Sequence, residues 1–351
     1  MTVPERMTAL VQRGEGYAGP EEGGALSRTL EAPARFLSLA EIPVPKPGPG
    51  QVLIRVSHAS VNPSDIAFVQ GFYGQPRVKG APAGFEGVGE VVAGNGFYAR
   101  QLVGARVAFA VVPGGSGAWA EYAVTAASAA IPLMREVRDE DGAALIVNPL
   151  TAAALVDMVR PGGGFIATAA ASQLGKLMAG LARQTSRRMI AVVRRQEAIA
   201  TLQDLGATIA LDETHADFHD YLGGEIRRVR PIHLFDAVAG GPTPQAIFRA
   251  MGKRARWVIY GQLDATPPQI EMPGQLIFMD KRIEGFWLVG WMNRTPLLKK
   301  LITVRQVQKR FIEGVWHTDI GAVLPLSDVL SRLSAELSRP DHKVLIAMEK
   351  R

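Results

Sequence analysis

Between residues 165 and 263 the chain repeats one local pattern: a short apolar run, a tight turn, then a helical stretch. FIATA (165–169) leads into a helix ending at Gln184, and RMIAVVRR (188–195) leads into QEAIATLQDLGA (196–207). TIALDE (208–213), HLFDAVAG (233–240) and RWVIYGQL (256–263) follow, with helical stretches between them. Near-continuous apolar strands are the kind buried on both faces of a sheet. Strands joined through helices pair parallel, with a crossover on each connection. The pattern therefore predicts an α/β, doubly wound parallel sheet.

The first strand–helix junction of such a sheet is where a pyrophosphate can sit. Glycines there permit close backbone approach, and the helix N-terminus adds partial positive charge. Here the junction is AAASQLG (169–175), with one glycine, Gly175. Ala171 and its neighbours are small enough for close approach, and Ser172 and Gln173 bring side-chain donors, whereas Leu174 brings none. The turn alone serves equally as a packing turn that binds nothing. The next strand adds information, because it ends in Arg194 and Arg195, the former nineteen positions after Gly175. An acid there would take a ribose 2′-hydroxyl; arginine suits a 2′-phosphate, so the expected cofactor is NADPH rather than NADH. The alternative is that both arginines open a solvated helix.

Residues 1–130 have a different rhythm. QVLIRVSHASV (51–61), GVGEVVAG (87–94) and GARVAFAVV (104–112) are short runs punctuated by Gly and Pro, which suggests a partly closed all-β fold. The chain closes on another strand, KVLIAM (343–348). The expected organisation is a β-rich catalytic domain over 1–147, a nucleotide domain over 148–285, and a return to the first domain over 286–351. There is no cysteine, which excludes disulfides and thiolate metal sites and fits a cytoplasmic protein. The N-terminus lacks the apolar core of a signal peptide. The most apolar stretch, GAALIVNPLTAAALVDMV (142–159), is broken by Asn148, Pro149 and Asp157 and reads as buried helix, so no membrane partner is expected. The net charge of +6 has no basic run interleaved with aromatics, so no nucleic-acid partner is expected either. It reads as a solvated surface, or as attraction to an anionic substrate or cofactor. The six histidines show no H-E-x-x-H spacing, and neither metal nor triad roles are assigned to them.

VNPSDIAFVQGFYG (61–74), GFEGVGEVVAGNG (84–96), NPLTAA (148–153), FDAVAGG (235–241), VIYGQ (258–262) and GFWLVGW (285–291) together resemble the medium-chain dehydrogenase/reductase superfamily, over nearly the whole chain from Met7. The resemblance implies a GroES-like β-rich domain for the substrate side, a Rossmann domain for the nucleotide, and a homodimer formed by edge pairing of the Rossmann sheets. It places Thr151, Ala239, Gly240, Tyr260, Gly261, Phe286, Trp287 and Leu288 near the nicotinamide end of the cofactor. The aromatics among these also read as ordinary core. Where zinc members carry Cys and His, this chain has Asn62 and Phe85, and only a short segment separates GARVAF from GAWAEY where a structural-zinc lobe would stand. No metal is expected.

Charge building on a simple ketone oxygen needs strong stabilisation, which a Lewis acid supplies. A conjugated acceptor spreads that charge, so ordinary donors suffice. The resemblance then points to the quinone oxidoreductases and enoyl-thioester reductases. The stretch NPSDI…QG-x-YG is similar to the latter, where the tyrosine is taken as proton donor; here it is Tyr73. A phenol is protonated at neutral pH and can donate. The alternative is a turn aromatic packed beside Phe72. Asn62 is a second candidate donor, or simply an Asx-turn before Pro63. Asp65 is expected to organise the same loop, and Glu86 to pair with a buried arginine.

The expected function is a zinc-independent NADPH-dependent oxidoreductase that transfers a hydride to an activated double bond of a small molecule, an enoyl thioester or α,β-unsaturated carbonyl. The alternatives are an NADPH:quinone oxidoreductase or, from another class, a nucleotide-binding regulatory or RNA-associated protein with little turnover. The chain departs from the family pattern in AAASQLG, in GARV where GDRV is common, and in GEGYAGPEEGGALSRTL (14–30), a long excursion after the first strand. That excursion either covers the substrate mouth or runs over the surface.

Overall fold

The computed structural model describes residues 3–18, 29–111, 116–264, 266–270, 273–339 and 341–349. Most of the 14–30 excursion (19–28) lies outside them. The chain divides into two units, Met1–Val147 with His317–Arg351, and Asn148–Trp316. In chain order the first unit holds β1 (Arg6–Gln12), β2 (Leu37–Pro43), β3 (Gln51–Val61), β4 (Glu86–Gly94), β5 (Arg106–Ala110), β6 (Tyr122–Ala126) and β7 (Ala130–Pro132). The second holds β8 (Gly164–Ala167), β9 (Arg188–Val193), β10 (Ile209–Asp212), β11 (His233–Asp236), β12 (Arg256–Ile259) and β13 (Arg282–Gly285). The first unit then closes with β14 (Ile320–Pro325) and β15 (Lys343–Ala347).

In the first unit β1 and β2 pair antiparallel, and the remaining strands form a sheet ordered β14-β15-β3-β4-β5-β7, with β6 also on β3. The long strand β3 is the hub, since it pairs with β4, β6 and β15. Its inward Val52, Ile54, Val56 and Ala59 pack with Phe109, Trp119 and Ile346 in one apolar core. Trp119 is fully buried and its indole N–H donates to the Ser60 carbonyl at 3.1 Å, which joins the core to the end of β3. From there the chain turns into the helix Pro63–Val69, begun by a proline whose fixed φ suits the first helical position.

In the second unit all six strands are parallel and ordered β10-β9-β8-β11-β12-β13. The chain moves outward from β8 to β10, then returns to the other side of β8 with β11. The order therefore reverses at β8, and the crevice outside the strand ends at such a point is where these sheets bind ligands. Strands β8, β9 and β11 are almost wholly buried, as their uninterrupted apolar runs require. Helices Gln173–Gln184 and Phe218–Val229 bury Leu177, Met178, Leu222 and Ile226 on their inner faces.

The second unit does not end at residue 285, where the change of pattern had set its boundary. Two further helices, Leu288–Arg294 and Leu297–Ile312, precede Trp316. They bury few of their own apolar residues, so no clear inward stripe marks their place in the sequence. Trp316 secures the end of the segment: it is buried, and its indole N–H donates to the Leu177 carbonyl at 2.9 Å. The stretch around Leu150 is a buried helix, Val147–Asp157. Among the described residues no helix is long and apolar enough to cross a membrane.

Candidate active site

In the second unit, four groups of the residues singled out from sequence lie just past the ends of adjacent parallel strands, and a fifth opens the helix that follows β8. Ala171 precedes that helix and Ser172 caps it, its hydroxyl accepting from the Gly175 N–H at 3.3 Å, with Gln173, Leu174 and Gly175 in the first turn. Ala169 holds a left-handed φ of 47°, a conformation that glycine adopts more easily. At Gly175 a Cβ would lie 2.2 Å from the Ala170 carbonyl oxygen, so the single glycine sits where the turn and helix touch. Arg194, exposed, and Arg195, half-buried, follow β9. Ala239 and Gly240 follow β11, Tyr260 and Gly261 follow β12, and Phe286, Trp287 and Leu288 follow β13. Thr151 follows no strand; it is buried in the helix Val147–Asp157.

One residue not singled out ties this edge together. Asp236, the last residue of β11, is wholly buried and accepts four hydrogen bonds. The donors are the Thr168 hydroxyl at 2.5 Å, the Trp257 indole at 2.8 Å, and the N–H groups of Val238 at 2.9 Å and Ala239 at 3.1 Å. Burial raises its pKa, and these donors oppose the rise. Thr168 in turn accepts from the Ala237 N–H at 3.0 Å. The turn after β8 and the loop after β11 are therefore fixed to one carboxylate, with Ala239 held at a φ of 65°. A buried acid at a strand end, as in HLFD, was the available signal.

The fit to a dinucleotide rests on this edge. The Tyr260 hydroxyl is buried without a hydrogen-bond partner, and burial, then the nearby Asp236 charge, lifts its pKa. An orphaned buried hydroxyl is costly unless a ligand completes it. Small residues line the turn, a twelve-residue helix points its N-terminus there, and two arginines follow the adjacent strand. Glu213, past β10, has its pKa raised by burial, while the Thr243 hydroxyl and the Arg194 charge act against the rise.

In the first unit a buried polar cluster forms where β3, β4 and β15 begin or end. Glu86 accepts from the Ser60 hydroxyl at 2.7 Å, from the Asn62 amide at 2.9 Å, and from the N–H groups of Ile146 at 3.0 Å and Val147 at 2.8 Å. The Asn62 amide also donates to Ser60 at 3.0 Å, and its oxygen accepts from the Lys343 ammonium. Asn62 is 1% exposed and its side chain is engaged on every polar atom, which favours the structural of its two readings over donation to a substrate. The expected partner of Glu86 is corrected: the buried cation here is a lysine, reached through Asn62. Burial lowers the Lys343 pKa, and the charges of Glu86 and Asp65 hold it up. Asp65 does organise the loop, accepting from the Asn62 N–H at 2.7 Å and the Phe85 N–H at 2.7 Å.

Tyr73 lies in the loop after the helix Pro63–Val69, half-buried. Its ring meets Phe85 at 5.0 Å and Phe68 at 6.5 Å between centroids. Phe72, the neighbour expected from sequence, is exposed instead.

Comparison with known proteins decides the family. Residues 48–135 match the alcohol dehydrogenase GroES-like domain. The mitochondrial enoyl-[acyl-carrier-protein] reductase of Bos taurus is 31% identical over 325 residues, 86% of this chain and 82% of the relative. The chain belongs to the medium-chain dehydrogenase/reductase superfamily. Within it the chain falls in the zinc-independent branch of quinone and enoyl reductases. A candidate NADPH:quinone reductase from Mesorhizobium loti has 50% identity and a TM-score of 0.93, covering 99% of this chain and 100% of that one. A Bacillus thuringiensis structure at 21% identity, TM-score 0.85, with 97% and 99% covered, shares the fold. The superfamily's GroES-like and Rossmann modules are thus the two units described above.

The cluster in the GroES-like unit carries a pH signature. Burial raises the Asp65 pKa from 3.8 to about 7, outweighing its N–H donors; the Glu86 charge adds to the rise and the Lys343 charge reduces it. Between these two values the native protein holds a proton that the unfolded chain has lost. The Asp65 contribution is therefore fully present below pH 3.8 and is lost as pH rises towards 7. We expect the stability difference between wild type and Asp65→Asn to shrink through that window, by up to about 1.4 kcal/mol per pH unit. Denaturant melts of both proteins from pH 4 to pH 8 check this; a constant difference would contradict it.

Proposed function

We propose that this chain is a zinc-independent, NADPH-dependent oxidoreductase that reduces an activated carbon–carbon double bond, with an enoyl thioester or α,β-unsaturated carbonyl as substrate. The observation that carries the reading is the gathering of the candidate nucleotide residues at the strand ends around β8, with an orphaned tyrosine hydroxyl among them. The bovine relative, named for reduction of an enoyl thioester, supports the substrate class.

Ala171, Ser172, Gln173 and the first turn of the following helix would hold the pyrophosphate, and Arg194 and Arg195 the 2′-phosphate. Ala239, Gly240, Tyr260, Gly261, Phe286, Trp287, Leu288 and Thr151 would line the rest. NADPH, when bound, supplies the hydride. Tyr73 is the proposed acid: its hydroxyl donates a proton to the enolate that develops on the substrate, and Phe68 and Phe85 hold its ring. Asn62, Asp65, Glu86 and Lys343 hold the backbone on which that loop is built and take no part in proton transfer.

The Mesorhizobium loti structure favours a second reading, reduction of a quinone. A hydroquinone product leaves both its oxygens open to solvent protons, so this chemistry does not need Tyr73. We also propose a homodimer. β13 is the last strand of its sheet, and Ile277, Phe278, Leu297, Leu298, Leu301 and Ile302 are exposed on the segments that flank it. Exposed apolar area of this kind marks an interaction surface. The cytoplasm is kept as the proposed compartment on the cysteine-free composition.

Three outcomes test the proposal. Replacing Arg194 and Arg195 together by Ala should weaken NADPH binding about ten- to a hundredfold, as loss of charge-assisted hydrogen bonds does, and leave NADH binding unchanged. Tryptophan fluorescence titrations read both; equal weakening of the two nucleotides would refute the 2′-phosphate assignment. Tyr73→Phe should lower kcat on an enoyl thioester by about a hundredfold or more and leave quinone reduction nearly intact. Full enoyl activity in that variant would remove Tyr73 from the mechanism. Light scattering on a sizing column should give a dimer mass, and Phe278→Asp with Leu298→Asp should give a monomer.

A further inference from the structure

The loop that carries Tyr73 is closed by a buried arginine. Arg77 is 2% exposed, and its guanidinium donates to main-chain carbonyls on both sides: Gly16 at 3.0 Å, Glu15 at 3.3 Å and Val69 at 3.5 Å. Val69 is the residue at which the helix before Tyr73 ends, and Glu15 and Gly16 belong to the start of the excursion after β1. The contact between the two segments continues along the main chain. Gly16 and Arg77 exchange N–H···O bonds at 3.0 Å each way, the Ala18 N–H donates to the Gly71 carbonyl at 2.9 Å, and the Lys79 N–H donates to the Glu15 carboxylate at 2.6 Å.

The packing leaves no slack around the guanidinium. A Cβ at Gly14 would lie 2.5 Å from its Nη1, and one at Gly71 would lie 2.7 Å from its Cζ and 2.6 Å from the Ala18 nitrogen. Gly71 also holds a left-handed φ of 84°, two residues before Tyr73. The loop thus turns sharply against the arginine, with the Gly71 and Phe72 N–H groups bonded back to Phe68 and Ala67 at 2.9 and 2.8 Å. A planar guanidinium can serve several fixed acceptors at once, which a lysine ammonium on a flexible stem does less well.

We propose that Arg77 is a positioning residue: it clamps the segment Gly14–Ala18 to the loop 70–77 and so sets where the Tyr73 hydroxyl stands. The function of the clamp rests on the reading of Tyr73 as proton donor. It also gives the segment Gly14–Ala18 a task, that of a brace for the catalytic loop.

The test uses full-length Arg77→Met, Arg77→Lys and Gly14→Ala, the last of which keeps the arginine but crowds it. With a short-chain enoyl-CoA, Arg77→Met should lose at least about tenfold in kcat, since small displacements of a catalytic group cost that much or more, while the NADPH Kd stays at the wild-type value. Arg77→Lys should fail to restore it. In a Tyr73→Phe background the same Arg77→Met change should alter kcat by less than about twofold, because residues that act through one another are not additive. Wild-type kcat in Arg77→Met, or an equal loss in both backgrounds, would overturn the proposal. Should Arg77→Met not fold, Gly14→Ala is read in the same way. If Tyr73→Phe alone keeps full activity, the proton-donor reading falls, and hydrogen exchange at Gly71 and Phe72 then decides the clamp. Faster exchange in the Arg77 and Gly14 variants supports it, and unchanged exchange overturns it.

Discussion

The Glu86 carboxylate is the junction on which the GroES-like unit depends. Its oxygens take hydrogen bonds from Ser60 and Asn62 at the end of β3, and from the N–H groups of Ile146 and Val147, where the chain leaves for the nucleotide unit. Through Asn62 the same junction reaches Lys343, at the start of the strand that brings the chain back. Segments from four parts of the sequence thus meet on one buried acid. Such a cluster is a doubtful source of net stability, because desolvation of its charges offsets their attraction. Its value lies in having a single arrangement that satisfies every member, and removing any one member leaves the others buried and unpaired. Asp65 then transfers that arrangement to the loop, bonding the N–H of Asn62 on one side and of Phe85 on the other. Phe85 is also a wall of Tyr73. The position of the proposed acid therefore descends, by four contacts, from the carboxylate at the junction.

Asp236 has the same part in the Rossmann unit. A parallel sheet supplies the crevice at β8, but strand ends alone leave their loops free. Asp236 removes that freedom by bonding the turn after β8 through Thr168 and its own loop through Val238 and Ala239. Both units thus set their functional loops by a buried acid surrounded by donors, and both acids sit at the terminus of a strand.

The strands were legible because burial on two faces writes itself as an apolar run: β3, β8, β9, β10, β11, β12 and β15 all follow from such runs. The edge strand β13 was not, since Arg282 and Glu284 alternate with partly covered residues and the period is too short to read. The end of the nucleotide unit was missed for a related reason: the helices after 285 present no clear inward stripe, and several of their apolar residues, Leu297, Leu298, Leu301 and Ile302 among them, remain exposed. Of the candidate nucleotide positions, those at 171–175 and Arg194 with Arg195 were read from a turn and a strand end, which are local features, and the others from the family resemblance. The polar partnerships were not found, because Asn62 with Lys343 and Thr168 with Asp236 are separated by 281 and 68 residues. Nothing in the local pattern of either member names the other. Asn62 was left open between donor and Asx-turn for that reason: as a lone amide before a proline it looks available, and only the fold shows its amide bonded to Ser60 and Glu86.

The glycine-poor turn depends on the same kind of bonding. Ala169 in the left-handed region costs about 1 kcal/mol that glycine would not. The turn keeps that conformation because its neighbours are fixed from both sides: Thr168 is bonded to Asp236, and the Ser172 N–H donates to the Ala169 carbonyl at 3.0 Å. Glycine remains only at position 175, where a methyl would strike the Ala170 carbonyl. Backbone freedom is thus dispensable at Ala169, where a side-chain bond on one side and a backbone bond on the other impose the turn, and indispensable at the one point of direct contact between turn and helix. The shape of this turn and the field of the helix behind it, the two features the proposed pyrophosphate site would use, both persist with a single glycine.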